Sequence, residues 1–202
     1  MTEEQKRKQL EALEQQAKAL RKQLPRKFKR KILPQALSDD DFKKVLELIM
    51  DKKAHKKTKI AFLLAYESGL RISEILSLQK EDINPVAKSI FVRKGKFSKD
   101  RVVPLPKTWK SYMLEYIPMK YKNIKSGSRS LELIFKRCII KLGLNPHLHF
   151  HNLRHSFATH CLERGMPINQ LQILLGHSNI SITNVYIQAN PKDALATYEN
   201  VF

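Results

Sequence analysis

Residues 151–160 read HNLRHSFATH. Three histidines, an arginine and a serine crowd onto what reads as one helix. His151, Arg154 and His155 could form a metal site, a catalytic site, or an ordinary polar helix face. His151 and His155 have the i, i+4 spacing that two zinc ligands need on one helix. The metalloprotease version of that pattern also needs a glutamate beside the first histidine, and Asn152 stands there. Arg154, a permanent cation, projects into the same neighbourhood, and the nearby sequence offers no cluster of cysteines or carboxylates as further ligands. The stretch therefore points away from metal and leaves a catalytic role or a polar face.

Charge narrows the choice. The 202 residues carry 38 Lys and Arg against 19 Asp and Glu, a formal net charge of +19. Such a surface repels itself unless a polyanion binds it, and nucleic acid is the usual partner. Membrane is the lesser candidate, because no apolar run approaches the roughly 20 residues that span a bilayer. The opening MTEEQKRKQL lacks the apolar stretch of a signal peptide. Cys138 and Cys161 each fall within an apolar-periodic segment, as two buried free thiols in a reducing compartment would. The cytoplasm is the expected location, with no membrane partner.

An apolar fraction of 42% is enough for a packed core. Residues 1–35 form a first part. Leu10, Leu13, Ala17, Leu20 and Leu24 make a short heptad stripe, either docked on its own domain or paired as a marginal coiled coil. The basic linker PRKFKRKILP follows, where Arg26, Lys27, Lys29 and Arg30 can track a phosphate backbone.

The main domain is expected over residues 36–190. Ser38 is placed to cap a helix whose first turn holds three aspartates. TKIAFLLAYESGL reads as a second helix stopped at Gly69, and RISEILSL as a short third. Two β-prone runs at 89–93 and 101–105 flank a turn containing Gly95. From about residue 107 the pattern is mainly helical, with segments ending at Gly143, Gly165 and Gly176. Residues 191–202 form an amphipathic tail, packed in cis or exchanged between protomers. The expected fold class is mainly α with a small antiparallel β-hairpin or sheet.

Phosphate fits the opening stretch better than metal does. Arg154 lies one turn from His151, so both side chains reach one spot. A guanidinium is the best side-chain match to two phosphate oxygens. Arg71 follows the helix-ending Gly69-Leu70, Lys96 sits in the hairpin beside Gly95, and His177 follows the glycine that closes LLG. Two arginines, a lysine and two histidines are what metal-free phosphodiester cleavage requires: fixed cations for the non-bridging oxygens, and a general acid for the leaving oxygen. The missing part is a nucleophile. Of the six tyrosines, Tyr186 comes nine residues after His177 and is placed closest to the set.

GLRISEIL, KGKFSKDRVVPL, HNLRHSFATH and LLGHSNISITNVY occur in the order and spacing of the tyrosine recombinases, the family of phage integrases and Xer-type resolvases. The resemblance covers residues 60–190. It implies the family's catalytic fold and strand exchange without metal, ATP or other cofactor, through a 3′-phosphotyrosine intermediate. By position, Arg71 and Arg154 would clamp the phosphate and His151 would bind it and help take the tyrosine proton. Lys96 would be the general acid, with Lys94 and Lys99 as rivals. His177 would be a further phosphate donor and Tyr186 the nucleophile. Glu74, one turn after Arg71, would orient the cationic side chains. Lys94, Lys99 and Arg101 would join the linker in contacting double-stranded DNA, and the family implies a tetramer on that DNA. His155, His160 and Ser156 then have packing or bridging roles. Family members usually carry a separate DNA-binding domain ahead of this one, so the N-terminal segment either stands in for it or follows it in a longer chain. A type IB topoisomerase-like nicking-closing enzyme and a non-catalytic DNA-binding accessory protein are the alternatives.

Overall fold

The computed structural model describes residues 36–49, 53–93, 100–176 and 191–201. The chain divides into two units, Met1–Leu33 and Pro34–Phe202. The first unit, with its heptad stripe and Arg26, Lys27, Lys29 and Arg30, lies outside the described residues.

Helix α1 (Asp39–Leu48) begins as its sequence dictates. The Ser38 hydroxyl accepts from the Asp41 amide at 3.1 Å, and Asp39, Asp40 and Asp41 fill the first turn. Those carboxylates satisfy the helix's positive end. Its Phe42 stacks on Tyr66 of α2 (Lys53–Glu67), with ring centroids 3.8 Å apart. From Ile60 to Ala65 every residue of α2 is buried. A helix apolar on all sides belongs at the centre of a domain. Phe62 meets Phe135 of α4 (Ile124–Lys141) edge-on at 5.6 Å and Phe150 at 5.5 Å. Such aromatic pairs contribute about 1 kcal/mol beyond their buried area.

Helix α2 stops where Gly69 takes a left-handed φ of +66°. An added Cβ there would lie 2.5 Å from the Phe157 ring. The position thus needs glycine for its backbone angle and for its space. Helix α3 (Ile72–Ser77) follows directly. Strands β1 (Ile83–Asn84), β2 (Ser89–Val92) and β3 (Arg101–Pro104) form an antiparallel sheet in that order. Ile90 pairs with Val103, and Val92 with Arg101. The expected hairpin strands are present, while two-residue β1 is too short to show any alternation. The intervening residues 94–99, and with them Lys94, Lys96 and Lys99, lie outside the described set.

One stretch departs from expectation. Residues 107–123 hold a 3-10 helix (Ser111–Tyr116) and turns in place of an α-helix. Pro106 and Pro118 each lack the N–H that an α-helical ladder needs. Helix α4 then starts at Ile124, because the Asn123 side chain accepts from the Ser126 amide at 2.8 Å.

Helices α5 (His151–Glu163), α6 (Ile168–Leu175) and α7 (Pro191–Val201) enclose a second apolar cluster of Phe157, Cys161, Met166, Leu171, Leu174, Leu175, Ala194 and Tyr198. Both cysteines are buried free thiols. The tail helix packs on its own domain, with Tyr198 1% exposed and donating to the Glu67 carbonyl at 2.9 Å. Among the described residues no helix is long and apolar enough to cross a membrane.

Candidate active site

Two helices and a strand from three parts of the chain converge on Glu74. This residue occupies the third position of α3, so its carboxylate folds back onto the residue before the helix: Oε2 accepts from the Arg71 amide at 2.8 Å. The same carboxylate holds the Arg71 side chain, Nη1 to Oε1, at 2.8 Å. From the sheet, Arg101 donates Nη1 to Oε1 at 2.9 Å and Nη2 to Oε2 at 2.7 Å, a bidentate pair. From α5, Arg154 brings Nη1 within 3.8 Å of Oε2. One buried anion therefore organises three guanidinium groups. Glu74, expected to orient the cationic side chains, contacts all three of these arginines.

Arg154 is tied down further. Its Nη1 donates to the Gly69 carbonyl and its Nη2 to the Leu175 carbonyl, each at 2.5 Å. It thus bridges the end of α2 and the end of α6, and at 5% side-chain exposure it forms the floor of the site. Arg71, with 34% of its side chain exposed, forms the open edge. His151 stands one turn before Arg154 on an exposed position.

Electrostatics follow from this crowding. Burial would raise the Glu74 carboxyl, but the Arg101 hydrogen bonds and charge, then the Arg71 bonds, hold it down at about 2. Burial, then the field of Arg71, lowers the Arg154 guanidinium to about 9, with Glu74 opposing; it stays charged at neutral pH. Desolvation by the underlying protein, then the charges of Arg154, Arg71 and His155, lowers the His151 imidazole. A histidine so placed is neutral at pH 7 and able to accept a proton.

Arg101 is expected at the surface among DNA contacts, and the structure places it inside, 6% exposed. On β3 it shares the inward face with Val103, and each of its three nitrogens is engaged, Nη1 and Nη2 by Glu74 and Nε by the Leu174 carbonyl at 2.8 Å. The period-2 alternation of the strand turns Arg101 and Val103 to one side, but nothing in the sequence marks that side, or Glu74, as buried. Ser156 and His160 of the opening stretch hold the fold together. Ser156 Oγ accepts from the Leu37 amide at 2.7 Å and donates to the Asn152 carbonyl at 2.8 Å. His160 Nε2 lies 2.9 Å from the Leu37 carbonyl and 3.1 Å from Tyr66 Oη. His177 and Tyr186 lie outside the described residues.

The chain belongs to the phage integrase family, whose model matches residues 35–193. Among curated proteins it is 36% identical to tyrosine recombinase XerA of Pyrococcus horikoshii over 175 residues, covering 80% of this chain and 59% of that one. The chain spans about three fifths of the length of the curated relatives it matches. Among solved structures, the integrase from mycobacterium phage Brujita superposes with a TM-score of 0.63 at 23% identity, covering 89% of this chain and 62% of the other. The site-specific recombinase XerH, bound to palindromic difH substrate in a post-cleavage complex, gives 0.56 at 25% identity over 83% of this chain and 50% of that one. The fold is therefore the mainly helical tyrosine recombinase catalytic fold with its small antiparallel sheet.

Proposed function

We propose that this chain is the catalytic part of a site-specific DNA recombinase that cuts and rejoins strands through a 3′-phosphotyrosine. The observation that carries the reading is the convergence of Arg71 and Arg154 on one carboxylate, beside a His151 that feels both charges. The two guanidiniums bind the non-bridging oxygens of the scissile phosphate. His151 accepts the proton of the attacking phenol, Tyr186. The Tyr186 oxygen bonds to phosphorus as the bond from phosphorus to the 5′ oxygen breaks, and Lys96 protonates that leaving oxygen. Rejoining reverses these steps with the 5′ hydroxyl of another strand. The bond energy is kept in the phosphotyrosine, so ATP is not needed, and the guanidinium pair supplies the charge stabilisation that a metal ion gives in other phosphoryl-transfer sites. His177 adds a further hydrogen bond to the phosphate.

The surroundings of four of the other five tyrosines favour Tyr186. Tyr66, Tyr121 and Tyr198 have phenols raised first of all by burial. Tyr112 and Tyr121 lie against Lys56 and Lys57 in the first turns of α2. That is about 18 Å along the helix from Gly69, at 1.5 Å per residue.

Double-stranded DNA is the substrate, favoured by the net charge of +19. The linker residues Arg26, Lys27, Lys29 and Arg30, with Lys94 and Lys99, contact its backbone. The working assembly is a tetramer on two duplexes, in the cytoplasm. Covalent trapping tests the reading. Labelled nicked duplexes bearing candidate sites, incubated with the protein and run on a denaturing gel, should give a protease-sensitive slow band that Tyr186→Phe abolishes. A band that survives in that variant assigns the nucleophile elsewhere. Exchange between two labelled duplexes, rather than relaxation alone, distinguishes a recombinase from a nicking-closing enzyme.

A further inference from the structure

We infer that Arg101 is a positioning residue whose task is to absorb the charge of Glu74, leaving Arg71 and Arg154 as an uncompensated pair for a phosphate whose charge rises during reaction. The inference rests on the phosphoryl-transfer reading of the site. Glu74 has three cationic neighbours, and they do not share it equally. Arg101 engages both of its oxygens, at 2.9 and 2.7 Å, while Arg71 holds one at 2.8 Å and Arg154 stands off at 3.8 Å. Arg101 is also buried, and its third edge is taken by the Leu174 carbonyl at 2.8 Å. With all three nitrogens engaged and 4% of its side chain exposed, Arg101 does not reach a substrate. It acts through its neighbours.

Charge balance gives the reason for such a residue. Glu74 is needed to fold Arg71 back onto the start of α3, but a buried carboxylate between two clamping arginines would neutralise half of their charge. A third guanidinium restores a net charge of two positive units to the cluster of Arg71, Arg101, Arg154 and Glu74. A phosphodiester carries one negative charge and its pentacoordinate transition state carries two. Only the interaction that grows between those states accelerates the reaction. The bidentate pair therefore matches the cradle to the transition state rather than to the ground state.

Arg101 has a second effect on the same site. It and Arg154 hold successive carbonyls, Leu174 and Leu175, at the end of α6. Gly176 follows in a left-handed conformation, φ +61°, and an added Cβ there would lie 2.8 Å from Arg101 Cδ. The chain thus leaves α6 across the face of Arg101, directly before His177.

The test uses the full 202-residue chain in five forms: wild type, Arg101→Met, Arg101→Lys, Glu74→Gln and the double variant Arg101→Met/Glu74→Gln. Two quantities are measured for each, the affinity for inorganic phosphate by calorimetry and the rate of covalent adduct formation at saturating nicked duplex. Arg101→Met should weaken phosphate binding and slow adduct formation by roughly tenfold or more, with little change in duplex affinity. Adding Glu74→Gln to Arg101→Met should recover part of the lost phosphate affinity, because the cradle regains its two unbalanced charges while the new amide oxygen can still accept one of the Arg71 bonds. Arg101→Lys, which keeps the charge but not the fork, should retain phosphate affinity within a few-fold even if it melts earlier. A merely structural role gives the opposite pattern: the double variant no better than Arg101→Met, and Arg101→Lys as impaired as Arg101→Met. That pattern overturns the inference. If wild type binds phosphate but forms no adduct, the cleavage reading fails, and the phosphate series still decides the role of Arg101.

Discussion

Glu74 makes the stability of the fold depend on acid. Its carboxyl is held at about 2 against an ordinary 4.5, so the folded protein favours the ionised form. Because the folded value lies below the unfolded one, this stabilisation is complete above pH 4.5 and disappears as pH falls toward 2. Urea unfolding at pH 5 and pH 2.5 should differ by about 2–3 kcal/mol through this group alone, and Glu74→Gln should remove that part of the difference. His151 makes a second, independent measurement possible. Its imidazole is lowered by desolvation and then by Arg154, Arg71 and His155. Its carbon-detected NMR titration should have a midpoint below the ordinary 6.5, and Arg154→Gln should move that midpoint upward. An unshifted midpoint in wild type would mean that the arginine charges do not reach the ring.

At the scale of elements, the turn between α2 and α3 joins fold and site. Gly69 combines a φ of +66°, a Cβ position 2.5 Å from Phe157, and the carbonyl that receives Arg154. Gly143 has a nearly identical φ of +65° but open space around it. Gly143→Ala should therefore cost only backbone strain, about 1 kcal/mol. Gly69→Ala adds overpacking against the Phe157 ring, a further 1–3 kcal/mol. Thermal melts should separate the two variants by several degrees, at about 2–4 °C per kcal/mol for a domain of this size. Equal melting temperatures would show that Phe157 yields at no cost. The same displacement carries Arg154 off its carbonyl, so Gly69→Ala should also slow adduct formation more than Gly143→Ala does.

For the whole molecule, the tail decides how the chain closes. Tyr198 is 1% exposed, tilted against Phe157 at 6.0 Å, and bonded to the Glu67 carbonyl beside the site. Tyr198→Ala should lower stability by about 3–5 kcal/mol. Closure of the tail on its own domain predicts a loss that does not depend on protein concentration. A melting temperature that rises with concentration in wild type but not in Tyr198→Ala would mean that the tail is held by a second protomer.

Much of this is legible in the sequence, because it is local. Ser38 with its aspartates announces the start of α1, and Gly69, Gly143, Gly165 and Gly176 all take positive φ where helices were expected to end. The pairing of His151 with Arg154 follows from one turn of helix. The order of the boxes along residues 60–190 identified the family, and the family model matches 35–193. The stretch 107–123 was misread because apolar periodicity persists through it while Pro106 and Pro118 break the backbone ladder. Arg101 was misread for a different reason. In the sequence it is one more cation in a basic chain, and nothing local distinguishes a solvated arginine from a buried one. Only the folding of β3 against the first turn of α3, 27 positions away, puts it on Glu74. Turns and periods are written into neighbouring residues; the partner of a buried charge is set by whichever distant element the packing brings to it.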